Sequence, residues 1–345
     1  MKIIHTADIH LDSPLSQVKD SSARRYELLL ALSNMSEYAN NNGIQAIIVA
    51  GDLFDNRFAT DGTVNGVAEI INRSKADWFV LQGNHGSSEP YLKLKKLSPK
   101  INMFGDDWSY YTLNNVTICG RELGVNDAEY YAKLSLDPSR YNIVVLHGDV
   151  DDDSYGLIDR KTLAKSNANY IALGHRHTLA RYSFGAVKAC YCGALEARGF
   201  DEPSNTGFAV IDTDADEITF VEQHIRRIHN IAVDVSGVNS DIALNAKITD
   251  AISGLDSRNY LNVAFCGTLT DGVHLDLVAN NALQGRFFAL RLDDRTTTAY
   301  DIDAIEREVS LRGEFVKIAN AIQDEQLKAE VIKMGLRALG GEELV

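Results

Sequence analysis

The sequence predicts an α/β protein built on a parallel sheet, followed by a small α+β unit and a helical tail. Three observations carry this. Short, fully apolar, β-branched runs, of which Ile47-Ile48-Val49-Ala50 is the clearest, read as strands buried on both faces. Segments of helical spacing alternate with the first of these runs, which predicts parallel pairing through right-handed crossovers. Near Arg226-Arg227 the pattern resets to strands and helices of a second kind.

In chain order, residues 1–7 form the first strand. Residues 21–42 form a long helix with apolar spacing through Leu28, Leu32 and Met35, stopped by Gly43. The strand ending at Gly51-Asp52 follows, then a helix over 61–74 and the strand Trp78-Phe79-Val80-Leu81. Asn114-Asn115 reads as a hairpin turn between Tyr111-Thr112-Leu113 and Val116-Thr117-Ile118. Strands over 142–146 and 170–173, then hairpins over 181–193 and 208–221, complete a first domain assigned to 1–226. A capping unit over 227–300 contains strands at 231–235, 261–265 and 287–292 and a helix at 241–252. The tail, 301–345, carries one apolar stripe at Phe315, Ile318, Ala319 and Ile322 and another at Val331, Gly335, Leu336 and Leu339. Those stripes serve either packing on the cap or docking of a partner.

The 345 residues, 45% hydrophobic and 24% charged, are ordinary for a globular protein with a sizeable core. No apolar run is long enough to cross a bilayer and no signal peptide is visible, so the expectation is a cytoplasmic protein with no membrane association. Cys119, Cys190, Cys192 and Cys266 lack the spacing of a zinc knuckle or redox pair, and Cys190 and Cys192, on one face of a strand, read as two buried thiols. The net charge of −14 argues against unspecific adhesion to nucleic acid or anionic lipid.

The chemistry lies at the carboxyl ends of the apolar strands. There stand, in order, Asp8-x-His10, Gly51-Asp52-x-x-Asp55, Gly83-Asn84-His85, His147-Gly148 and Gly174-His175-x-His177. Loops leaving strand ends of an α/β sheet converge on one edge, where ligands bind. Imidazole mixed with carboxylate suits Mn²⁺, Fe²⁺ or Zn²⁺. Such a collection of ligand-type residues is too large for one catalytic ion and fits two divalent ions sharing a carboxylate, ~3.5–4 Å apart.

That order of motifs resembles the calcineurin-like metallophosphoesterase family. His5-Thr6-Ala7-Asp8-Ile9-His10-Leu11-Asp12-Ser13-Pro14, the run from Gly193 through Glu202 and the run from Leu311 through Val316 are similar to bacterial DNA repair exonucleases of the SbcD/YhaO type. The resemblance implies a four-layer αββα sandwich. It implies one metal site formed by Asp8, His10, Asp52 and His177 and another by Asp52, Asn84, His147 and His175. Asp52 would bridge two ions, most naturally manganese. It also implies His85 as the group that protonates the leaving oxygen, with Asp55 orienting its ring. Arg57 and Arg198 would contact backbone phosphates. DNA, an SbcC-type, SMC-like ATPase subunit and a second copy of the chain are the implied partners.

Gly86 stands where the family usually has an acidic residue. The expected activity is a manganese-dependent DNA exo/endonuclease. The rival readings are a phosphatase or phosphodiesterase of small substrates and a scaffold subunit without turnover. His5 is expected to be packed in the first strand, and His224, His229 and His274 to lie at surface or interdomain positions. Asp151-Asp152-Asp153 reads as a solvated loop.

Overall fold

The computed structural model describes residues 1–345 except 16, 17, 19, 56–58, 86, 123–130, 151–155 and 341–345. Arg57, Gly86 and the Asp151-Asp152-Asp153 run lie outside the described residues.

The apolar runs of the amino-terminal part become parallel strands. β1 (Lys2–Thr6), β2 (Ala46–Ala50), β3 (Asp77–Leu81) and β4 (Ile101–Met103) lie side by side in that order. All five residues of β2 are buried, as a strand covered on both faces requires. The crossovers are α1 (Ser21–Asn41), α2 (Asp61–Arg73) and α3 (Ser88–Leu97). Asp20 caps α1 by accepting the Ala23 N–H, and Thr60 caps α2 by accepting that of Thr63. α1 buries Leu28, Leu32 and Met35, the predicted stripe.

A second sheet is formed by β5 (Ser109–Leu113), β6 (Val116–Gly120), β7 (Tyr141–His147), β8 (Tyr170–Gly174), β9 (Ala180–Phe184) and β10 (Val187–Tyr191). Its order is β5-β6-β7-β8-β10-β9. The chain then returns to the first sheet with β11 (Gly207–Asp212) and β12 (Glu217–Glu222), giving the order β12-β11-β1-β2-β3-β4. The three predicted hairpins are the antiparallel pairs β5/β6, β9/β10 and β11/β12.

Ile3, Ile48, Phe79 and Leu81 of the first sheet pack against Ile118, Ile143, Val145, Tyr170 and Cys190 of the second, each at most 1% exposed. Each such aliphatic side chain contributes about 1.5–3 kcal/mol by leaving water. On its far face the second sheet packs Val144, Leu146, Ile171 and Leu173 with Ile158 and with Leu163 of α4 (Arg160–Leu163). On the far face of the first sheet, Ile4, Ile47, Val49, Trp78 and Val80 are also buried. The protein is therefore the expected two-sheet α/β sandwich. Cys119, Cys190 and Cys192 are buried thiols, and Cys266 is partly exposed.

The chain divides into two compact units, Met1–His229 and Asn230–Val345. The sheet of the second is built from β13 (Ile228–Asp234), β14 (Tyr260–Thr270) and β15 (Ala289–Ala299). β14 lies in the middle, paired in parallel with β15. α5 (Asp241–Ala251) and α6 (Leu275–Leu283) contribute Leu244, Ile248 and Leu283 to a core with Val263 and Phe265. The tail forms α7 (Ile302–Glu306), α8 (Leu311–Ala319) and α9 (Glu325–Leu339), which bury Ile305, Val316, Ala319, Ile332 and Leu336 together. This corrects the predicted stripes. Ile318 is 73% exposed and Val316 takes the inward position, because Gly313 and Val316 turn α8 toward Ile305. Among the described residues no helix is long and apolar enough to cross a membrane.

One buried ion pair ties the first unit together. Arg24 of α1, fully buried, donates to Glu196 at 2.6 Å, to the Ala197 carbonyl, and to Glu27 at 2.9 Å. Glu196 also accepts the N–H groups of Ile225 at 2.7 Å and Arg226 at 3.1 Å. Replacing Glu196 by Ala leaves a guanidinium buried without its main counter-charge, so a loss of about 3–5 kcal/mol is expected in urea denaturation. A loss below about 1 kcal/mol would show that the pair does not hold the unit together.

Candidate metal centre

The carboxyl ends of β1, β2, β3, β7 and β8 meet on one edge, and the chain turns sharply there. Asp8, His10 and Asp52 have φ of 51°, 49° and 53°, and His175 has φ of 102°. L-residues in this region cost on the order of 1–3 kcal/mol each, so surrounding structure must impose them. The Asp8 N–H donates to the Gly51 carbonyl at 3.1 Å, and the His10 N–H donates to that of Asp52 at 2.9 Å. Two glycines make room. A Cβ on Gly51 (φ +100°) would overlap the His147 ring, and one on Gly83 (φ +84°) would overlap the Asp52 carboxylate.

The result is a compact set of donors. Asp52 Oδ2 lies 3.2 Å from His147 Nε2 and 3.8 Å from His10 Nε2. His10 Nε2 faces His177 Nε2 at 3.1 Å. Asn84 Oδ1 is 2.8 Å from His147 Nε2 and 3.4 Å from His175 Nδ1. One ligand atom each from Asp8, His10 and His177 lie within 4.8 Å of one another, and so do those of Asp8, Asp52 and His147. All seven predicted metal-site residues therefore converge; Asp8 is common to both groups, and Asp52 Oδ2 faces both His147 and His10.

The loops also hold one another in place. The Asp8 carboxylate accepts the His175 N–H at 3.1 Å, and Asp52 Oδ1 accepts that of His85 at 2.9 Å. His147 Nδ1 donates to the Ala50 carbonyl at 2.9 Å, which fixes the ring with Nε2 directed at Asp52 and Asn84. His177 Nδ1 faces the Glu202 carboxylate at 3.0 Å, which likewise fixes its ring with Nε2 directed at His10.

His85 is half-exposed, its ring edge-on to His10 at 5.0 Å, and its Nδ1 lies 3.6 Å from Asp55 Oδ1. Arg198, expected to face substrate, is instead engaged inside the loops. Its guanidinium lies 2.6 Å from Glu202, 3.7 Å from Asp55 and 3.3 Å from His177 Nδ1.

The electrostatics follow from burial and close charges. Burial raises the Asp8 carboxyl to about 6, although the charges of His147 and His177 oppose this. Burial, then the Arg198 charge, lowers His10 to about 3, leaving a neutral imidazole free to ligate. Burial acts against charge on Asp52 and His147 alike. Their mutual hydrogen bond and attraction nevertheless hold the Asp52 carboxyl below the usual range and raise His147 to about 9. The Asp55 carboxylate beside it raises His85. Asp55 is lowered to about 2 against its burial by His85 and Ser13. Glu202 is lowered to about 2 against its burial by His177 and Arg198.

This donor set fits two cations. Carboxylate oxygens and imidazole nitrogens crowd within 3.1–3.8 Å of one another, and the facing Nε2 atoms of His10 and His177 are placed to offer lone pairs to a cation.

Four contributors escape a reading of the sequence alone. Glu202 orients His177, and Glu122 accepts the N–H groups of Gln82 and Gly83 at 2.5 and 3.2 Å. Burial raises the Glu122 carboxyl to about 7. Asp149 grips Arg176 with both oxygens at 2.8 and 2.6 Å, which joins the His147 loop to the His175–His177 loop. The available signal is position: Asp149 and Glu122 each lie two residues beyond a strand end, and Arg176 lies between two ligand-type histidines.

A pH test isolates Glu202. Its pKa is depressed in the folded protein, so its contribution to stability is present above the unfolded value near 4.5 and is lost as pH falls toward 2. Chelator-treated Glu202→Gln is expected to show a shallower loss of stability across that window than wild type. Parallel curves in acid denaturation would remove Glu202 from this role.

Comparison with known proteins agrees with the geometry. The family model "Calcineurin-like phosphoesterase" matches residues 1–179. The chain is 25% identical over 340 residues to "Uncharacterized metallophosphoesterase YhaO" of Bacillus subtilis, covering 86% of this chain and 82% of that protein. It is 23% identical over 252 residues to "DNA double-strand break repair protein Mre11" of Haloferax volcanii, covering 68% of this chain and 55% of that one. It is 22% identical over 266 residues to a subunit of the nuclease SbcCD of Staphylococcus epidermidis, covering 64% of this chain and 69% of that one. With a two-sheet sandwich, a convergent Asp/His/Asn cluster at its strand ends and a family match over more than half its length, this chain belongs to the calcineurin-like phosphoesterases, hydrolases of phosphoester bonds.

Proposed function

We propose that the chain is a two-metal phosphodiesterase whose substrate is DNA, a manganese-dependent exo/endonuclease. The observation that carries this reading is Asp52, whose Oδ2 faces His147 on one side and His10 on the other. In this reading Asp8, His10, Asp52 and His177 hold one ion, and Asp52, Asn84, His147 and His175 the other. Bound there, a pair of divalent ions would supply Lewis acidity and lower the pKa of a water to near neutrality. The carboxylate and amide oxygens of the set suit manganese, and its imidazoles make iron or zinc the alternatives.

The chain's own residues do the rest. Asn84 ligates through a neutral oxygen, so it adds no charge that repels a phosphate. His85 stands at the rim beside His10, half-exposed to incoming substrate. Asp55 favours its protonated form, and from that position it gives a proton to the leaving oxygen. Arg198 keeps Asp55 and Glu202 aligned rather than binding phosphate itself. DNA as substrate is supported by the names of two relatives, a double-strand break repair protein and part of a nuclease. The second of these is named as one subunit among others, which supports an SbcC-type ATPase as partner.

A second reading, hydrolysis of small phosphorylated substrates, is favoured by the net charge of −14 and by the internal engagement of Arg198.

Purified protein with Mn²⁺ is expected to release nucleotides from linear DNA, alone or with its ATPase partner. Turnover of aryl phosphodiesters without any action on DNA would select the second reading. His85→Ala is expected to keep both ions and lose about 10²–10⁴ in rate. Unchanged turnover in that variant would remove His85 from proton transfer.

A further inference from the structure

Glu122 belongs to the second sheet, two residues beyond β6, yet its carboxylate closes on a loop of the first. One oxygen accepts the Gln82 N–H at 2.5 Å and the other that of Gly83 at 3.2 Å. These amides open the loop that carries Asn84 and His85. From the opposite side, the Gln82 carbonyl accepts the Asp52 N–H at 2.9 Å and the Tyr91 hydroxyl at 3.0 Å. Asp52 Oδ1 accepts the His85 N–H. The loop backbone is thus held between two carboxylates, one a proposed metal ligand and the other, Glu122, outside the proposed ligand set.

Gly83 needs that restraint. Its φ of +84° leaves Asn84 attached to the least constrained residue type. Charge-assisted bonds to a single carboxylate fix both amide directions at once.

We propose that Glu122 is a positioning residue for the ion site of Asn84, His147 and His175. By holding the Gln82 and Gly83 amides, it sets where the Asn84 Oδ1 and the His85 ring stand against His147. The proposal rests on the two-ion reading above and assigns one residue's part in it. The two sites should respond unequally, because Asp8, His10 and His177 reach the cluster on loops to which the Glu122 side chain makes no hydrogen bond among the described residues.

The decisive variant is Glu122→Gln, which preserves volume. An amide oxygen can accept one of the two N–H groups, while the amide NH₂ opposes the other. Full-length wild type and variant are titrated with Mn²⁺ by calorimetry and by electron paramagnetic resonance, which distinguishes a coupled pair of ions from an isolated one. Thermal unfolding is followed in chelator. Wild type is expected to bind two ions and show a coupled signal.

Glu122→Gln is expected to keep one ion near wild-type affinity and to bind the other about 10–100-fold more weakly, with an isolated-ion signal. Glu122→Asp, which restores both acceptors one methylene short, is expected to fall between. Two ions at wild-type affinity in Glu122→Gln would overturn the proposal. So would equal weakening of both ions, or loss of the fold in all variants, which would make Glu122 a general structural residue. A wild-type protein that binds fewer than two ions would overturn the two-ion reading itself, and this assignment with it.

Discussion

Asp52 is a carboxylate 1% exposed at the end of a strand buried on both faces, and much of the first unit is arranged to keep it ionised. A buried charge without compensation costs several kcal/mol. Compensation comes from two separate strands: the His85 amide after β3 and His147 at the end of β7. The two sheets must therefore meet in one register. The glycine at 51 is tied to the same requirement, since a side chain there would displace the His147 ring.

Around this anion the other charged groups form a second tier. A chain of contacts runs from His177 through Glu202 and Arg198 to Asp55 and His85. One guanidinium thus serves two carboxylates, each of which orients a histidine of different proposed role. On the opposite side, Arg176 and Asp149 join the loops after β7 and β8. These pairs explain how loops from distant parts of the sequence hold their positions without regular secondary structure.

Much of this is legible in residue order. The alternation of apolar runs and helical segments locates β1, β2, β3, α1 and α2, because burial on both faces leaves an uninterrupted hydrophobic signature. Asp8, His10, Asp52, Asn84, His85, His147, His175 and His177 stand out because each follows such a run. Glu122, Asp149 and Glu202 do not, because a lone acidic residue near a strand end resembles any cap or surface charge until its partner is known. Arg198 is read only in part for the same reason. Sequence shows a cation, and only the fold shows that Glu202 and Asp55 already surround it. The α8 stripe fails differently. Ile318 and Val316 are both apolar, and the choice between them depends on where Ile305 lies, which local spacing does not encode.

The amide contacts made by Asp8 and Asp52 bear on how these loops are ordered. Both carboxylates serve as acceptors for neighbouring loops, at His175 and His85. Bonds internal to the polypeptide thus contribute to the order of the cluster, an order that small domains folding only around their metal draw from the ion.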